Sequence, residues 1–139
     1  MRSETRFRDG HLRGTASMKI TTAGLILFTP QYQACVTFYR DCLRLRLLHR
    51  INRPGETLST FDLGGAYLMI EPEDDPAAAL ARLPLKLRFN VPDVQASSEK
   101  LRQRGVEVRL RHHSWGSTAE FSDPAGTRCA LRSDEGFGV

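Results

Sequence analysis

Residues 85–105, LKLRFNVPDVQASSEKLRQRG, change their hydrophobic period midway. Leu85, Leu87, Phe89 and Val91 alternate with Lys86, Arg88 and Asn90, which predicts a half-buried strand. Pro92 closes it, and Asp93 has the chemistry of a helix N-cap. Val94, Ser97, Ser98 and Leu101 then share one helical face, and Gly105 ends the helix as a C-cap. Three further strands are predicted, Val106–His112, Thr118–Ser122 and Thr127–Arg132. The turn Asp123-Pro124-Ala125-Gly126 joins the last two: Pro sets φ, Gly accepts positive φ and Asp caps the backbone. The order is β-α-β-β-β.

The first half of the chain carries the same order. Ile20–Phe28 reads as a strand ahead of Pro30. Cys35, Phe38, Tyr39, Cys42 and Leu43 form one apolar stripe, predicting a helix over Gln33–Leu43 with both cysteines buried. Strands follow at Arg44–Asn52, Thr57–Leu63 and Ala66–Glu71, with turns at Pro54-Gly55 and Gly64-Gly65. The pattern thus occurs twice with a period of about 60 residues. It predicts an α+β fold of two tandem βαβββ modules, residues 18–71 and 84–133, within one domain spanning 18–133. Each helix covers one face of its sheet, and the uncovered faces are expected to form a concave cavity. Residues 72–83 are a Pro- and acid-rich connector and 134–139 a short tail.

Composition narrows the function classes. The 139 residues are 40% hydrophobic and 26% charged, as in ordinary soluble domains. No apolar run is long enough to cross a membrane. The net charge is +4, and residues 1–17 supply half of it through four Arg against Glu4 and Asp9. The remainder is nearly balanced and has no single-sign block, so nucleic acid is not an expected partner. Residues 1–17 lack hydrophobic period and an apolar leader core, and read as a disordered or leader arm before a natural start at Met18. The three cysteines, Cys35, Cys42 and Cys129, have no disulfide or zinc-ribbon spacing, which fits a reducing cytoplasm.

Three segments resemble the vicinal oxygen chelate superfamily, the glyoxalases, bleomycin-resistance proteins, fosfomycin-resistance enzymes and extradiol dioxygenases. Val36-Thr37-Phe38-Tyr39-Arg40-Asp41-Cys42-Leu43 resembles the family's aromatic helix, with Arg44 where a glycine is usual. Phe89-Asn90-Val91-Pro92-Asp93-Val94 resembles the start of the second helix. Trp115-Gly116 followed by Phe121-Ser122-Asp123-Pro124-Ala125-Gly126 resembles its most specific hairpin. The resemblance implies metal-ligand positions on the first and last strands of each module, which fall on Ala23 (or Gly24), Glu71, Lys86 and Ala130. Only Glu71 can ligate a divalent ion; Lys86 would repel one. No metal or other cofactor is therefore expected, and enzymatic activity is disfavoured.

What remains is a small-molecule pocket. Its expected ligand-binding residues are Tyr67, Met69, Glu71, Lys86, Arg88 and Arg128, with Trp115 at the rim and Leu25, Leu27 and Arg132 as further lining. Glu71 and Lys86 are expected to face each other, and Lys86 with Arg88 to offer donors to an anionic or carbonyl-bearing ligand. Trp115 is either a hairpin anchor or a stacking surface. The resemblance also implies a homodimer, the cleft lying within one chain or between subunits. Cationic bleomycin is the wrong sign for this pocket. Two competing readings are a metal-dependent lyase, isomerase or dioxygenase using Glu71, or else Glu120, with His112 or His113, and a structural or partner-binding module using the arm.

Overall fold

The computed structural model of the chain describes residues 19–74 and 85–134. The first module runs β1 (Ala23–Thr29), α1 (Tyr32–Thr37), β2 (Leu47–Arg53), β3 (Glu56–Asp62) and β4 (Ala66–Pro72). The second runs β5 (Lys86–Val91), α2 (Val94–Gln103), β6 (Arg109–His113), β7 (Gly116–Ser122) and β8 (Arg128–Ser133). Each module is a four-stranded mixed sheet, ordered β1-β4-β3-β2 and β5-β8-β7-β6. The first and last strands of each module pair in parallel, and the other pairs are antiparallel. The doubled βαβββ architecture is thus as expected. The arm, most of the connector and the last five residues lie outside the described residues. Among those described, no helix is long and apolar enough to cross a membrane.

Local chemistry explains the second module well. The Asp93 carboxylate accepts from the Ala96 N–H at 3.0 Å, capping α2. Gly105, at φ +87°, lets the chain leave the helix, and the Val106 N–H returns to the Leu101 carbonyl at 3.0 Å. The first helix departs from expectation. It is α-helical only to Thr37 and closes with one π-helical turn, Phe38–Cys42, where the Leu43 N–H reaches the Phe38 carbonyl at 3.2 Å. The widened turn leaves Cys35 buried but Cys42 only half-buried. Arg44 then adopts φ +58°, a left-handed conformation that suits glycine.

The core is continuous across both modules. Leu27, Phe61, Leu68 and Ile70 face α1 from the first sheet; Ala119, Phe121, Cys129 and Leu131 form the covered face of the second. The π turn joins them. Tyr39 is fully buried, with its ring 6.4 Å from that of Phe61 and its hydroxyl donating to Asp123 Oδ2 at 2.7 Å. The Phe38 ring lies 6.2 Å from Phe121. Full burial of each large apolar side chain here contributes about 1.5–3 kcal/mol. Asp123 Oδ1 also accepts from Ala125 N at 2.9 Å and Thr127 N at 2.8 Å. The β7–β8 turn is therefore structural, as expected, and it also fastens one module to the other.

Candidate functional site

The sheet faces turned away from the helices carry the candidate site. On the first sheet, Gly24, Ile26 and Phe28 pair with Tyr67, Met69 and Glu71, and Thr60 lies beside Met69. This corrects the expected lining. Leu25 and Leu27 pair with Leu68 and Ile70 and belong to the opposite, helix-covered face. Every second side chain shares a face, so a one-residue register difference exchanges the whole set. Ile26 and Phe28 take their place, 48% and 54% exposed. The open face is apolar around Ile26, Phe28 and Met69; its polar groups are Glu71, Asp62 and the Thr60 hydroxyl and, towards β2, His49 and the Arg53–Glu56 ion pair. Thr60 is 8% exposed, and its Oγ1 has no hydrogen-bond partner.

The open face of the second sheet has the opposite character. Alternation places Lys86 and Arg88 of β5, Arg128 and Arg132 of β8, and Arg109 and Arg111 of β6 together. Among the described residues of this face, Glu120 is the single carboxylate against those six cations. Lys86 Nζ lies 3.6 Å from Glu120 Oε2, and Arg111 Nε 3.7 Å from Glu120 Oε1. The expected pairing of Lys86 with Glu71 is thus replaced by a pairing with Glu120 across one sheet. The reason is register: Glu120 lies opposite Ala130, whose small side chain leaves the space open.

At the far end of this face the His113 ring stacks parallel on Trp115, 4.5 Å between centroids. The Arg132 guanidinium lies 4.5 Å from the Trp115 ring. His113 Nε2 meets Thr118 Oγ1 at 3.0 Å, while His112 turns to the other face and meets Ser117 Oγ at 3.1 Å. Protein groups therefore already use the Trp115 ring, which favours its hairpin-anchor role, although Trp115 remains 43% exposed.

Internal symmetry locates the positions where the resemblance implies a metal. β1 and β5 both end one residue before a proline, so Gly24 corresponds to Lys86. Lys86 pairs with Arg128, and Ala130 lies two residues further; Gly24 pairs with Tyr67, and two further is Met69. The counterpart of Ala130 is therefore Met69, and Glu71 lies one pleat beyond. A side chain at Gly24 would also collide with the Tyr67 ring, since a Cβ there would lie 2.4 Å from it. Gly24, Met69, Lys86 and Ala130 do not fit a divalent ion. Among the described residues, no group of three or more His, Cys, Asp or Glu side chains could hold a metal.

A groove of about 790 Å³ runs along the outer edge of β5. Its walls include Lys86, Arg88, Lys100 and Arg104 with Leu25, Leu43, Leu45 and Phe89. Of the expected residues, Lys86 and Arg88 enter it, with Leu25 of the expected further lining. Tyr67, Met69 and Glu71 lie on the first sheet's open face, and Arg128 with Trp115 on the second's. Sequence reasoning missed Ile26, Phe28 and Arg111, and it named Glu120 only as a possible metal ligand, not as the partner of Lys86. Aligning the prolines after the two first strands would have exposed the β1 register.

A family model described as the Glyoxalase/Bleomycin resistance protein/Dioxygenase superfamily matches residues 19–131. Among solved structures, a lactoylglutathione lyase from Agrobacterium tumefaciens superposes with TM-score 0.65 at 18% identity, over 84% of this chain and 96% of its own. TnmS3, an antibiotic binding protein from Streptomyces sp. CB03234, gives 0.65 at 21% identity over 86% and 98%. A glyoxalase family protein from Enterococcus faecalis gives 0.62 at 25% identity over 82% and 96%. No curated protein matches the chain.

Proposed function

The chain belongs to the glyoxalase/bleomycin resistance protein/dioxygenase superfamily, and from that premise we propose that it binds a small organic molecule between its open sheet faces without using a metal. One observation carries this reading: the four symmetry-related ligand positions hold Gly24, Met69, Lys86 and Ala130, and the Lys86 ammonium is paired with Glu120. The apolar and cationic faces with a few polar groups have the make-up of a ligand site. The fold is shared with an antibiotic binding protein, which supports binding as a role for it. Catalysis through Glu71 and His113 has less support, because they lie on different sheets and His113 is stacked on Trp115. Elemental analysis of purified protein should find no stoichiometric zinc, nickel, manganese or iron. One tightly bound ion per chain, lost in Glu71→Ala, overturns the proposal.

A second copy completes the cavity in this reading. Each open face covers a ligand from one side only, and β1 is a sheet edge with exposed apolar side chains on both faces, Leu25 and Ile26 with Phe28. Such an edge invites a partner. The binding unit is residues 18–133, working in the reducing cytoplasm, where Cys35 and Cys129 stay buried thiols. Removing residues 1–17 leaves binding unchanged; loss of binding on that deletion favours the partner-module reading.

A further inference from the structure

The two open faces differ in chemistry as well as position. Ile26 and Phe28 stand beside Met69 on one, with no cation among the residues paired with them there. Among the described residues, the other gathers six cations and one carboxylate, Glu120, which lies beside Lys86 and Arg111. Arg88 and Arg128 are diagonal neighbours on it, because Arg128 pairs with Lys86 two residues before Arg88. At that spacing two long side chains on one face reach the same group. Guanidinium forks recognise planar oxyanions by paired hydrogen bonds, which a lysine point charge does not do.

We propose that the ligand is an amphipathic organic anion, a carboxylate, sulfonate or phosphate monoester on an apolar body. The anionic end meets Arg88 and Arg128, and the apolar body lies on Ile26, Phe28 and Met69. This rests on the small-molecule reading above and narrows it: a neutral apolar ligand makes no use of the guanidinium forks, and a cation is repelled by them. The split also assigns Lys86 a different part from that of Arg128, since its charge is spent on Glu120.

A matched probe pair tests this on the full chain. 8-Anilinonaphthalene-1-sulfonate and uncharged N-phenyl-1-naphthylamine share one apolar body and differ in the sulfonate. Fluorescence titration at low salt should give at least tenfold tighter binding of the sulfonate. Arg128→Glu should remove that preference and leave the neutral probe unchanged, with Arg128→Gln intermediate and thermal melts confirming both variants folded. Phe28→Asp should weaken both probes. Dodecanoate should displace the sulfonate. Equal affinity for the two probes, or no effect of Arg128→Glu, overturns the anion assignment while the small-molecule reading stands. Binding of neither probe overturns both. Displacement by a short DNA oligonucleotide but not by dodecanoate marks the face as a polyanion surface and also overturns the assignment.

Discussion

Three residues show how single side chains decide this structure. Tyr39 donates to Asp123 in the shared core, and burial raises its hydroxyl far above the usual phenol range, with nearby Cys129 and Asp123 adding to the effect. The hydroxyl therefore stays a donor at any working pH. Tyr39→Phe removes it and leaves a buried carboxylate oxygen short of a partner, which costs about 1–3 kcal/mol in chemical denaturation. Arg44 is the opposite case. Its left-handed backbone costs about 1–2 kcal/mol for a residue with a Cβ. Arg44→Gly should recover part of this and raise the melting temperature, offset by the lost hydrogen bond from Arg44 Nε to the Asp41 carbonyl. Thr60 carries a buried hydroxyl without a partner. Thr60→Val should leave stability unchanged or higher, because it removes an unsatisfied group while keeping the shape. A clear loss of stability would mean that the hydroxyl is satisfied in solution.

Among the elements, the β1–β4 pair shapes the site. Gly24 lies under the Tyr67 ring, so Gly24→Ala forces that ring aside. The variant should be destabilised, and Tyr67→Ala should relieve part of the cost, giving a non-additive double-mutant cycle. Additive effects would show that the ring moves freely. β1 is also where the sequence was least legible. Ile20–Phe28 is apolar almost throughout, so its alternation does not say which face is covered; pairing with β4 decides it. β5 was legible to within one residue, because Lys86, Arg88 and Asn90 alternate with its apolar residues, and so was α2, whose Asp93 cap is a local signal. The π turn left no comparable mark, since Phe38, Tyr39 and Cys42 fit an α-helical stripe equally well. The Lys86–Glu120 pair and the Met69 counterpart of Ala130 depend on strand register, which brings distant residues together and is invisible to local pattern.

The whole molecule is two modules sharing a core rich in protonated acids. Burial is the main cause that pushes the Cys129 thiol up to about 12 and Cys35 up to about 11. Below the ordinary thiol value of 9.0 both folded and unfolded chains keep these protons. Above it the unfolded chain loses protons that the folded chain retains, so stability falls as pH rises towards 11 and 12. Melting temperature should be insensitive to these thiols up to about pH 8 and decline beyond pH 9, less steeply in a Cys35→Ala/Cys129→Ala variant. The same two-module plan predicts a dimer by light scattering, and Phe28→Asp should shift it towards monomer. An unchanged dimer in that variant would place the interface elsewhere. If the open faces bind ligand with no metal between them, titration of the full chain with 8-anilinonaphthalene-1-sulfonate gives saturable binding with the same affinity before and after dialysis against EDTA. Binding abolished by EDTA and restored by a divalent ion would instead put a metal in the site.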